Sequence, residues 1–429
     1  MPCTGPARCQ ASPGSPASQY ISGAGGATLD SLVEAALKHN RDLLAERQRT
    51  GEAAGALAQA RLGVNPSADA SYTSGRVLNS PGENEFSIGY SHTFELGGKR
   101  DRRVEVAGLG VELATLEIAE RERLLKAEVK TRFAEALAAA RNLSSAEELY
   151  ELNRKGYDIA DARAREGEGT PLEAGLLRVE VNRIASDRLL FAGQTERALL
   201  ELRLLAGMDS GDPLTLSGSL RAPETPPAFD DVIERALAAR PDLKAARMRE
   251  SAAEAEVRLA RSEASPDVVA SARYSRVNSG FEQYGLNAPG GAPVPIRATD
   301  NLLTGGVSIN LPLRNRNQGN IQSAVARQAA AALRRQHLEQ VVRQQVRSAL
   351  ERYQAAARAL DIFDAGVVQQ SGENVRILRA AYDLGEIRLI DVLNEQRRLI
   401  EVQRQFTELL LEANLAAFEL ERAAGGPVF

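Results

Sequence analysis

No proline occurs between Pro81 and Pro171, or between Pro312 and Pro427. A proline inside a helix removes a backbone donor and clashes with the preceding turn, at a cost of about 3 kcal/mol. Two such proline-free spans predict two very long helices. The first runs from Lys99 to about Arg165, roughly 67 residues and about 100 Å at 1.5 Å per residue. The second, from Asn315 to about Leu384, is similar. Gly108, Gly110, Gly366 and Gly372 lie inside these spans and are the expected places for a bend or interruption. Composition agrees with long helices packed in thin pairs. Hydrophobic residues make up 43% and charged residues 26%, while aromatics are only 4% and Trp is absent, fewer than a compact core of this size would hold.

The same plan is written twice. Leu32-Val33-Glu34-Ala35-Ala36-Leu37 recurs as Val232-Ile233-Glu234-Arg235-Ala236-Leu237. Asp42-Leu43 recurs as Asp242-Leu243, Arg61 as Arg261, and Pro66 as Pro266. Further on the offset grows, and Gly167, Leu172, Glu173 and Gly207 match Gly385, Ile390, Asp391 and Gly425. The reading is a first repeat over 28–208, a Pro-rich linker over 209–228, a second repeat over 229–425 and a tail at 426–429. Each repeat reads helix, hairpin, very long helix, turn, long helix. In the last helix Leu389, Val392, Leu399, Phe406, Leu410, Ala413, Ala417 and Leu420 follow three- and four-residue steps, with Gln396 and Gln403 between them. That is a coiled-coil seam with polar interruptions.

Four segments change to a period of two: about 67–77, 85–96, 267–277 and 303–313. In the clearest, Phe86, Ile88, Tyr90, His92, Phe94 and Leu96 oppose Ser87, Gly89, Ser91, Thr93 and Glu95. About 11 residues is the length of a tilted strand that spans a bilayer. A half-buried pair of hairpins on a helical domain is the other reading of the alternation. Four strands close no barrel alone, and lipid forbids an open edge, so strands that meet lipid must share a barrel with other chains. Three copies would supply twelve strands. The tip at 278–301 suits an exposed loop, as does the shorter one at 79–84 around Pro81-Gly82.

The head, 1–27, is rich in Pro, Ser and Gly and holds the two cysteines, Cys3 and Cys9. It reads as a disordered tail with incidental thiols, lipid attachment at a mature N-terminal cysteine being the alternative. No apolar export segment precedes either cysteine and no cleavable leader is visible, so a mis-assigned start or a missing leader is expected.

At this point the chain resembles the TolC-like outer-membrane efflux family, from about Thr28 to Gly425. The duplicated order carries the resemblance together with two motifs. Phe94-Glu95-Leu96-Gly97-Gly98-Lys99-Arg100 is similar to the heavy-metal branch of cobalt–zinc–cadmium type. Tyr382-Asp383-Leu384-Gly385, followed by Ile390-Asp391-Val392-Leu393, looks like the family's periplasmic tip. The resemblance implies a mainly α protein with a small β part. It forms a homotrimer whose helices make an α-barrel and whose strands, four per chain, make a twelve-stranded barrel in outer-membrane lipid. It also implies docking to a periplasmic adaptor and, through it, to an inner-membrane pump of the RND type. At the aperture the family pattern falls on Tyr382 and Asp391, with Glu173 in the matching place of the first repeat. The usual arginine is displaced to Arg388, and Asn394 stands where a second acid is familiar. A solvated helix terminus is the plainer reading of each of these charges.

Other chemistries find little support. A net charge of −4 gives no electrostatic footprint for nucleic acid. His39, His92 and His337 are scattered and no zinc spacing appears, so no metal site or cofactor is expected. Gly97-Gly98-Lys99-Arg100 lacks the frame of a phosphate loop. No nucleophile stands beside a base at a recognisable spacing, so no enzymatic activity is expected. The expectation is a passive duct, with metal-ion efflux favoured over multidrug efflux or type I secretion. A soluble periplasmic coiled-coil adaptor is the reading from another class.

Overall fold

The computed structural model describes residues 20–21, 25–75, 83–220, 225, 228–286 and 289–428. Cys3, Cys9, the Pro81-Gly82 tip and most of the linker prolines lie outside them. The elements run twice through one order. The first set is α1 (Leu29–His39), α2 (Arg41–Ala60), β1 (Ser67–Ser74), β2 (Asn84–Phe94), α3 (Lys99–Glu166) and α4 (Pro171–Ala206). The second is α5 (Phe229–Ala239), α6 (Pro241–Ser262), β3 (Val268–Leu286), β4 (Pro293–Ile309), α7 (Gln318–Phe363), α8 (Gln369–Asp383) and α9 (Leu389–Ala424). A π-helical turn, Asp364–Val368, joins α7 to α8.

The helix α3 is continuous over 68 residues, straight through Gly108 and Gly110. Its counterpart is not. The interruption falls at Gly366, inside the π-helical turn, while Gly372 sits within α8. A π turn inserts one extra residue into the ladder, and glycine accepts the shift without side-chain crowding.

Helices α4 and α9 each span 36 residues and end alike. Gly207 and Gly425 close them in the left-handed conformation, at φ 72° and 86°. A Cβ on Gly207 would fall on the His39 carbonyl, and one on Gly425 would lie 2.9 Å from Arg240 Cγ. Asn40 Nδ2 donates to the Leu205 carbonyl at 3.0 Å, and Arg240 Nη1 donates to the Ala423 carbonyl at 3.1 Å. Each corner, between α1 and α2 or between α5 and α6, therefore satisfies an orphan carbonyl at the end of its repeat's last helix.

The chain divides into two compact units. One comprises 1–48, 116–244 and 337–429; the other comprises 49–115 and 245–336. Each unit draws on both repeats, because the strands of both repeats share one sheet.

In the helical unit the cores repeat as well. Leu32, Ala36, Leu125, Val129, Phe133, Leu199 and Leu202 are buried together. So are Val232, Ala236, Val342, Val346, Leu350, Tyr353 and Leu420. Burying one such leucine or valine contributes roughly 1.5–3 kcal/mol. The α9 seam packs Val392, Leu410, Ala413 and Leu420 inside, and Phe406 stacks on Phe363 at 6.5 Å between ring centres.

The other unit contains a four-stranded antiparallel sheet in the order β1-β2-β3-β4, together with the adjoining ends of α2, α3, α6 and α7. Two of its strands extend well beyond the expected spans. β3 continues to Leu286 and β4 begins at Pro293, so much of the expected tip loop is paired strand. Pro293 pairs with Leu286 and Pro295 with Tyr284. Proline is tolerated there because β4 is an edge strand and its outer backbone groups have no partner within the chain. β2 stops at Phe94, where Gly97 and Gly98 adopt φ of 74° and 70°, and β4 stops at Ile309, ahead of Pro312.

Candidate functional site

The sheet is inside out for a water-soluble protein. On one face Tyr72, Phe86, Ile88, Tyr90, Tyr274, Leu303, Val307 and Ile309 are exposed, Leu303 to 82%. On the other, register rows pair Ser71 with Ser87 and Ser87 with Ser275, and Ser91 with Ser271. Ser87 is only 3% exposed, and its hydroxyl accepts a hydrogen bond from Arg273 on the same polar face. Exposed apolar area of this extent has a large desolvation drive. Strands with apolar residues outward and polar residues inward are the pattern of a membrane barrel. Among the described residues no helix is long and apolar enough to cross a membrane.

The motif from Phe94 to Arg100 fixes the exit from this sheet. Lys99 Nζ meets Asp267 Oδ1 at 2.7 Å, and the Leu96 N–H donates to the same oxygen at 3.3 Å. Arg103 grips Glu95 with both terminal nitrogens. A Cβ at Gly97 would collide with the Ser265 side chain. The start of α3 is thereby pinned beside the start of β3. These residues hold the strand-to-helix junction of the fold.

In the helical unit, the α3–α4 and α8–α9 turns close around Leu177, Leu389 and Leu393, with Tyr157 and Tyr382 packed against them. A cleft of about 210 Å³ beside this cluster brings together Gly156, Arg163, Glu173, Leu177, Arg379 and Tyr382. Two of the expected aperture residues, Glu173 and Tyr382, thus share one cleft. Glu173 lies in the first turn of α4, after Pro171, and its N–H donates to the N-cap Thr170 Oγ1 at 3.4 Å. The other two form a separate local pair. Asp391 accepts the Arg388 N–H at 3.3 Å, and the Arg388 Nε stands 3.7 Å from the same carboxylate. Asp391 therefore serves α9 as an N-terminal carboxylate, favoured by the helix dipole. Both side chains remain open to solvent, at 43% and 85%.

A stronger group was not singled out by sequence reasoning. Glu180 on α4 is 3% exposed and accepts from Arg183 on its own helix and from Arg397 on α9. Burial pushes this carboxyl up, but the hydrogen bonds and charges of the two guanidinium groups outweigh it and leave it below the usual carboxylate range. The signal was its position. Glu180 interrupts the stripe of Ala174, Leu177 and Ile184, all buried. A lone acid in an apolar seam needs a partner, and only folding names it. Among the described residues no cluster of His, Cys, Asp and Glu is arranged to hold a metal ion.

A family model described as outer membrane efflux protein matches residues 32–208 and 232–426. The cobalt-zinc-cadmium resistance protein CzcC of Cupriavidus metallidurans is 24% identical over 403 residues, 94% of this chain and 91% of that protein. Among solved structures, the CusC channel superimposes with a TM-score of 0.75 at 20% identity, covering 93% of this chain and 92% of that one. The CmeC outer membrane channel of Campylobacter jejuni gives 0.73 at 18% identity, covering 93% and 85%. The family match takes in both repeats, and the chain belongs to the outer membrane efflux protein family as an outer-membrane efflux duct.

Proposed function

We propose that three copies of this chain form the outer-membrane duct of a tripartite system that exports heavy-metal cations. The two-faced sheet with free edges at β1 and β4 carries the reading. Lipid allows no unpaired strand edge, so β4 of one copy must find β1 of another. Three chains of four strands close twelve. The cargo reading is supported by CzcC, a resistance protein for cobalt, zinc and cadmium that aligns along nearly the whole chain. The duct itself conducts passively, without cofactor or catalysis. A periplasmic adaptor and an inner-membrane RND-type pump supply the cargo and the energy.

The α3–α4 and α8–α9 turns are the periplasmic aperture in this reading. Asp391 from three chains forms a carboxylate ring that attracts cations. Arg388 tempers it from the same turn, and Tyr382 and Glu173 both line the cleft beside these turns.

Deletion of the gene tests the cargo. Growth of the deletion strain falls on zinc, cobalt or cadmium and recovers when the gene is returned. Sensitivity confined to a drug panel would replace metal efflux with multidrug efflux. Cross-linking in mild detergent gives a three-chain band; a chain that stays monomeric and washes off membranes with salt and alkali would leave the soluble adaptor reading in its place.

A further inference from the structure

One row of the sheet crosses three strands as Asp69, Gly89 and Arg273. Adjacent strands lie about 4.8 Å apart, so Asp69 and Arg273 start about 10 Å apart, with β2 between them. Their side chains nevertheless meet over β2, with Arg273 Nη2 at 2.8 Å from Asp69 Oδ2. Gly89 makes this possible. A Cβ there would stand 2.5 Å from Asp69 Oδ1 and 3.0 Å from its Cγ. Gly89 is not among the glycines with positive φ, so space, and not backbone conformation, is what the row requires of it. Arg273 Nη1 also donates to Ser87 Oγ at 3.0 Å, and Ser87 Oγ lies 2.9 Å from Ser71 Oγ. The guanidinium is held on the polar face by both partners.

Alternation places Asp69, Glu85 and Asp300 on that face. Among the described residues of the paired ladder, Arg273 is the one basic side chain that shares it, since Arg276 and Arg297 fall on the opposite parity. We propose that Asp69, Gly89 and Arg273 form a charge-balanced belt on the wall of the duct, in which Asp69 masks an arginine that would otherwise repel cations. This rests on the polar face being the lumen. The pair is about half exposed, so its contribution to folding is small and its effect is on the ions that pass. Three unmasked guanidinium groups around one lumen would set a positive ring against cation entry. With the mask in place, Glu85 and Asp300 leave the wall negative.

The test uses the purified full-length protein in planar bilayers under a potassium chloride gradient. Asp69→Asn lowers the potassium-to-chloride permeability ratio about twofold or more. Arg273→Gln raises it, and the double variant returns it near the starting value. A merely structural row would lose conductance in both single variants alike, without a shift of opposite sign. Shifts of the same sign, or none, overturn the belt. The lumen reading is checked separately in a chain with Cys3→Ser and Cys9→Ser. A charged, water-soluble methanethiosulfonate changes the current of Thr304→Cys, in the same row, and not that of Leu303→Cys on the other face. A silent Thr304→Cys removes the lumen and the belt together. A responsive one beside unshifted Asp69→Asn and Arg273→Gln removes the belt alone.

Discussion

Arg397 on α9 donates two hydrogen bonds to one carboxylate oxygen of Glu180 on α4, from Nε at 3.0 Å and from Nη2 at 2.8 Å. The other oxygen takes Arg183, from Nη2 at 2.7 Å. A buried carboxylate thus joins the last helix of one repeat to the last helix of the other. Arg397→Met leaves Glu180 with Arg183 alone, in a place where it is nearly shut off from water. Losing hydrogen bonds to a buried charge costs about 2 kcal/mol. The expected outcome is a lower unfolding midpoint in detergent for Arg397→Met, with Arg397→Lys intermediate, since a lysine cannot place two donors on one oxygen in the same way. Equal midpoints in all three proteins would show that the pair holds nothing.

The same carboxylate predicts a response to acid. Its pKa in the folded chain is depressed below that of the unfolded chain, where a glutamate titrates near about 4.3. Its contribution is therefore fully present above that value and is lost as pH falls through the lower, folded value. The stability gap between the natural chain and Glu180→Gln should be constant near neutrality and shrink below about pH 4. Unfolding curves of both proteins across that range check it. A gap that widens in acid would have the wrong sign.

The two faces of the sheet should respond oppositely to charge. Ile88 is exposed in the middle of β2, and a lysine there faces lipid at a cost of about 2–4 kcal/mol. Ser91→Lys, on the polar face of the same strand, should fold into vesicles nearly as well as the natural chain. Folding yield into lipid vesicles separates the two. Equal tolerance would mean that this face never meets lipid.

Asp391→Asn separates charge from capping. Asparagine keeps an acceptor for the Arg388 N–H, so stability should change by less than about 1 kcal/mol. Single-channel cation selectivity should fall if the proposed Asp391 ring lines the aperture, because the substitution removes its charge. Unchanged selectivity would confine Asp391 to the start of α9.

Gly207→Ala and Gly425→Ala should each destabilise the helical unit by roughly 1–2 kcal/mol or more, since both adopt positive φ and both lie against a corner. Thermal unfolding measures this. Similar losses would show that the two corners perform the same task in the two repeats.

Much of this architecture was written in the chain. The absence of proline over 82–170 set out α3, and the matches of Gly167 with Gly385 and of Gly207 with Gly425 placed the turns and ends of the last helices. Period-two segments located all four strands, because a sheet with one wet and one dry face must alternate. The extensions of β3 and β4 were not legible. Pro293 and Pro295 read as loop, and only the edge position of β4 makes them acceptable in a strand. The break at Gly366 was legible as one of four glycines, not as the one that yields.

The sites divide along the same line. Tyr382, Asp391 and Arg388 were singled out through resemblance to a family motif and Glu173 through its match with Asp391 between the repeats, and the structure sets them in two places, a shared cleft and a helix start. Glu180 with Arg397, and Asp69 with Arg273, are pairs between residues some two hundred positions apart, and no local signal joins them. Sequence determined what depends on near neighbours: helix length, strand alternation, turns and the duplication itself. Tertiary structure decided which charges meet, because the partner of a buried or crowded charge is set by register and packing between distant segments.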